Sequence, residues 1–204
     1  MLDEILARID ALHALDPELE AGVPRELLRA RRMSEVLARL VPGASDALRI
    51  AVRAQHLERW TFPRASRPDG RAGYLAWRTE AAERHAARVG EVLASCGADE
   101  ALIARVAELV QKKRLARDPE AQALEDCACL VFVEHELLDF VAKERGRGTP
   151  DAELLPIVQK TWRKMSASAR EAALSLVLPD DARALLSLAL GAAPAAPPGG
   201  AAVE

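Results

Sequence analysis

The chain has 204 residues, half of them hydrophobic but only 3% aromatic, with a formal net charge of −3. That length can bury a core without disulfide or metal staples. The Ala, Leu, Val, Arg and Glu bulk favours helix, and the charge balance excludes a global basic field for nucleic acid. Cys96, Cys127 and Cys129 lie in apolar helical patterns, as expected of reduced thiols in a cytoplasmic protein. The start, MLDEILARID, carries acids where a leader would be basic and contains no long apolar run, so neither a signal peptide nor a membrane span is expected.

Leu2, Ile5, Leu6, Ile9 and Leu12 recur at helical spacing and predict a first helix over 2–15, with His13 as a peripheral, half-buried residue. Pro24 opens a second helix, which ends before Pro42-Gly43. Ser45 caps a third, expected to run to Trp60 with Arg49, Arg53, His56 and Trp60 as a stripe opposite its apolar face. A proline- and glycine-rich loop over 61–73 follows, and a fourth helix from Tyr74 to Cys96 stops at Gly97. Its apolar arc takes in Tyr74, Leu75, Arg78 and His85, so Arg78 is expected to point inward and to be paired.

Asp99 caps the fifth helix, and Asp118-Pro119 opens a sixth over 120–145. Asp126 projects onto the apolar arc of that helix, whereas Glu125 and His135 fall outside it. A seventh helix over 150–165 carries Pro156, Lys160, Trp162 and Lys164. Ser168-x-x-Glu171 reads as a capping box for the eighth, and Asp180 or Asp181 starts the last. The Ala/Pro/Gly run over 191–204 has no periodicity and reads as a disordered tail. The expectation is all-α: one helical bundle of eight to nine helices over 1–190.

Residues 53–85, RAQHLERWTFPRASRPDGRAGYLAWRTEAAERH, concentrate the chemistry. They hold two histidines, Arg64, Arg67 and Arg71 among prolines and Gly70, and, among their aromatic residues, Trp60, Tyr74 and Trp77, which account for three of the chain's seven. A buried aspartate such as Asp126 needs a cation, a metal or donors, and a structural pairing would serve as well as a site. His56, His85, Arg78 and Asp126 are expected to converge.

With RAQHLERWTFPR (53–64), GRAGYLAWR (70–78), His85, QALEDCACLVF (122–132) and KTWRKMS (160–166) in view, the chain resembles the family known as domain of unknown function 4202. It also resembles, less closely, the HD superfamily of metal-dependent phosphohydrolases. That second resemblance implies an HD-like bundle in which His56, His85 and Asp126 hold a divalent metal (manganese, iron or zinc). In this sequence Leu57 follows His56 where the superfamily has aspartate, and Met33 stands where a first histidine would be.

On this basis His56, His85 and Asp126 are the candidate catalytic and metal-ligating residues, with Glu125 an open question. Arg53, Arg59, Trp60, Arg64, Arg71, Arg78, Lys160 and Lys164 are the candidates for substrate oxyanions. Without metal, the histidines would act as general acid and base, Asp126 orienting one of them. The expected function is hydrolysis of a phosphorylated or otherwise anionic small molecule. The alternative is a non-catalytic protein that binds an anionic ligand or a partner, and apolar helix faces leave room for a homo-oligomer. No P-loop, dinucleotide glycine motif or Ser-His-Asp order is present.

Overall fold

Side-chain caps written into the sequence mark the starts of several helices. A computed structural model describes residues 1–115 and 117–191; the expected tail lies, beyond Gly191, outside the described residues. The fold is all-α: among the described residues there are ten α-helices and one minimal strand pair. Ser45 Oγ accepts from the Leu48 amide and Asp99 Oδ1 from the Leu102 amide, each satisfying a first-turn N–H. Asp118 does the same for Glu120 and Ala121 ahead of Pro119.

The first compact unit is Met1–Ala128. It comprises α1 (Leu2–His13), the strands β1 (Leu19–Glu20) and β2 (Val23–Pro24), α2 (Arg25–Leu40), α3 (Asp46–Ala54), α4 (Gly70–Ser95), α5 (Glu100–Val110) and most of α6 (Pro119–Val131). Helix α5 packs on α3 and α4, and α3 packs on α1 and α2. Ile5, Ile9, Met33, Leu48, Ile50, Leu93, Leu109 and Leu124 fill the interior. The second unit begins at Cys129. It contains α7 (Leu137–Gly146), α8 (Asp151–Lys164), α9 (Ala167–Ser175) and α10 (Asp180–Ala189), with α10 packed on α7 and α8.

Several expectations are corrected. The β1–β2 hairpin was not foreseen; Ala21 and Gly22 at its tip both have positive φ, +50° and +80°, the combination a type I′ turn requires. Buried Asp16 holds it by accepting from the amides of Glu18 and Glu26. The single helix expected over 120–145 widens into a π-helical turn at Phe132–Glu136 between α6 and α7. The ninth helix is capped by Ser166, which accepts from the Ala169 amide, and not by Ser168.

Helix α4 begins at Gly70, earlier than expected, and its buried stripe is Trp77, Ala81, His85, Val89 and Val92. Arg78 is exposed, not inward, and Tyr74 and Leu75 are 42% and 49% exposed. The reason is Trp77: its ring packs with Phe62 and Ala81 while its Nε1 donates to the Phe62 carbonyl at 3.0 Å, so it takes the inward position.

Candidate functional site

Helix α3 ends at Ala54, well short of the expected Trp60. The chain then passes through His56 at φ +148° and Glu58 at φ +56°, and a 3₁₀ turn covers Arg59–Thr61. No proline or glycine marks the break. A non-glycine residue at such a φ carries on the order of 1–3 kcal/mol of strain and persists only where its surroundings impose it.

Three side chains of α4 impose it here. His85 Nδ1 donates to the Leu57 carbonyl at 2.7 Å, Trp77 Nε1 to the Phe62 carbonyl, and Arg88 Nε to the Glu58 carboxylate at 2.8 Å. The connector between α3 and α4 is thereby pinned along its length, and the His56 ring comes to lie beside His85.

The two rings have centroids 6.0 Å apart and are tilted by 53°. Because Nδ1 of His85 is the donor to Leu57, its Nε2 carries the lone pair of the neutral ring. Burial pushes His85 down to about 4, with the Arg59 charge acting in the same direction. His56 is held well below the ordinary histidine value, by burial first and then by the charges of Arg59 and Arg29. Both rings are thus neutral near pH 7.

Arg59 Nη1 lies 3.3 Å from both ring nitrogens of His56, and its guanidinium sits 5.2 Å from the Trp77 ring centre. Glu26 of α2 approaches His56 Nδ1 at 3.8 Å. The result is a pair of neutral bases with a guanidinium against one of them.

The other expected site residues fall differently. Arg53 pairs with Asp10 at 2.8 Å and donates to the Ala30 carbonyl and Ser34 Oγ. Arg64 spends its guanidinium on the carbonyls of Arg67 and Pro68, which staples the loop. Trp60 is half-buried in the 3₁₀ turn, while Arg71 and Arg78 are exposed on α4. Lys160 and Lys164 lie on α8 of the second unit, exposed and half-buried respectively.

Asp126 is buried, as its helix phase implies, and accepts from Gln122 Nε2 at 2.9 Å. Glu125, expected outside the apolar arc, is instead only 3% exposed and pairs with Lys112. The Lys112 charge in turn helps hold His56 neutral. Burial and the Asp126 charge push the Cys127 thiol up to about 12, far from a nucleophilic thiolate. Among the described residues no group of three or more His, Cys, Asp or Glu side chains is placed to hold a metal ion. His56 and His85 are brought together, but among the described residues Asp126 does not join them in a three-ligand set.

One histidine was misplaced by the sequence reading. His13, expected at the periphery, is 1% exposed and donates from Nε2 to the Arg53 carbonyl at 2.9 Å. With Glu26, Arg29, Gln55 and His56 it lines a small pocket between α1, α2 and the end of α3. His135, by contrast, is exposed, as expected.

Among the described residues no helix is long and apolar enough to cross a membrane. No curated protein and no solved structure matches the chain. The model of one family, described as a domain of unknown function, DUF4202, matches residues 3–186. The chain therefore belongs to the DUF4202 family.

Proposed function

We propose that the His56–His85 pair is a metal-independent acid–base site acting on an anionic small molecule, with hydrolysis of a phosphorylated compound as the reaction. The observation that carries this reading is the juxtaposition of two neutral histidines with the Arg59 guanidinium. A neutral imidazole with a bare Nε2 can accept a proton from the water that attacks phosphorus, and as the bond to the leaving oxygen breaks the imidazolium so formed returns that proton to it. Arg59 supplies the donor for the substrate's oxyanion, and a guanidinium resting on tryptophan keeps its charge while being fixed in direction. The orienting partner of His85 is the Leu57 carbonyl, the role the sequence had suggested for Asp126. A divalent metal there would need a further ligand besides His56 and His85.

Incubation of the purified chain with a panel of phosphorylated small molecules, followed by release of inorganic phosphate, tests this reading. Turnover that survives a chelator and falls about 10²-fold or more in His85→Gln is expected. Turnover abolished by chelation would remove the metal-independent reading.

A second reading is a non-catalytic protein that binds an anionic ligand; the Arg59 guanidinium against His56 favours it, because it offers an anion donor whether or not a reaction follows. Binding to the panel without turnover would select it.

A further inference from the structure

Two of the side chains that line the pocket beside His56 carry a buried acceptor that makes no hydrogen bond. His13 gives its Nε2 proton to the Arg53 carbonyl, so in the neutral ring Nδ1 is an acceptor, and that atom is buried with no hydrogen-bond partner. Gln55 Oε1 is buried and equally unpartnered, in a residue only 6% exposed. Both residues line the same pocket as His56. Its free space of about 10 Å³ accommodates one water-sized group.

A buried acceptor left unmet costs about 1–3 kcal/mol, and two in one pocket call for a shared donor. The charges around it narrow the choice. Two acceptors and the Glu26 carboxylate disfavour an anion, while the Arg29 and Arg53 guanidiniums on the same wall disfavour an ammonium group. A neutral O–H group meets both conditions.

We propose that this pocket is a hydroxyl subsite adjoining His56, taking either one water, which donates to both His13 Nδ1 and Gln55 Oε1, or one ligand hydroxyl, which donates to Gln55 Oε1. A water molecule supplies two such hydrogens, and the hydroxyl of a bound ligand supplies one. In the second case the ligand of the neighbouring histidine pair carries a hydroxyl next to its anionic group. That arm rests on the anionic-ligand reading of the site, whereas the water arm does not.

Three measurements on the full chain test it. In the free protein, the imidazole ¹⁵N spectrum of His13 should show the Nε2–H tautomer with Nδ1 displaced to the hydrogen-bonded range. Gln55→Met, which keeps the length and removes the acceptor, should lower the melting temperature. Inorganic phosphate and glycerol phosphate are then compared as ligands. The wild type should bind glycerol phosphate about threefold to tenfold more tightly than phosphate, the worth of one neutral hydrogen bond, and Gln55→Met should erase that difference.

Equal binding of the two probes, with His13 Nδ1 hydrogen-bonded, assigns the subsite to water. Failure of both probes to bind removes the anionic-ligand reading but leaves the nitrogen shift and the melting temperature to decide the subsite. A His13 Nδ1 shift at the free value, together with a higher melting temperature for Gln55→Met, would overturn it.

Discussion

His85 donates its Nδ1 proton to the carbonyl of Leu57 at 2.7 Å, across 28 residues of sequence. That bond fixes the tautomer of one histidine and the strained backbone that presents the other. It also makes stability depend on pH. The folded value for His85, about 4, is below the ordinary 6.5, so the unfolded chain binds the extra proton in between. The contribution of the neutral ring is complete above pH 6.5 and declines as pH falls toward 4, by about 3 kcal/mol at most. His56 and His13 act in the same direction. Denaturant unfolding of the wild type should weaken over this window, and His85→Gln should flatten the slope.

The φ of +148° at His56 predicts an unusual order among substitutions. Glycine accepts such a conformation and alanine does not. His56→Gly should therefore be more stable than His56→Ala, by about 1 kcal/mol or more. An alanine variant at least as stable as the glycine one would show that the backbone there is relaxed.

Gly73 stands in the first turns of α4, where an added Cβ would fall 1.9 Å from the Pro68 carbonyl oxygen. No flexible side chain can give way at that point. Gly73→Ala should cost more than about 2 kcal/mol in thermal or denaturant unfolding, because backbone must move.

Asp126 separates site from scaffold. Arg78, the partner expected for it, is exposed, and Asp126 accepts a bond from Gln122 Nε2. Asparagine keeps an acceptor in that place, so Asp126→Asn should cost less than about 2 kcal/mol. A loss of about 3–5 kcal/mol, the signature of a broken buried ion pair, would make the aspartate structural.

The sequence made three helix starts legible from their caps: Ser45, Asp99 and Asp118 each bond the amides their positions imply, whereas the Ser168 cap was displaced by Ser166. The burial of Asp126 and His85 was also readable, from helical phase. What escaped was set by tertiary contacts. The end of α3 has no breaker residue, and the connector is bent by bonds from Trp77, His85 and Arg88, far along the chain. Helical projection carried the third helix through His56 for that reason. His13 looked peripheral at the edge of its apolar face, yet the Arg53 carbonyl gives its ring a buried partner that no local pattern reveals. In α4 the tryptophan, with a carbonyl to satisfy its N–H, set the phase over Tyr74 and Leu75.

The central claim is that two neutral histidines and Arg59 form an anion site, and titration with inorganic phosphate tests it most directly. The ring signals of His56 and His85 are followed by NMR in the wild type and in Arg59→Met. Phosphate should move both sets of signals in the wild type, with affinity reduced about tenfold or more in the variant, the worth of a charge-assisted hydrogen bond. Histidine signals that phosphate leaves unmoved, or equal affinity in Arg59→Met, would contradict it.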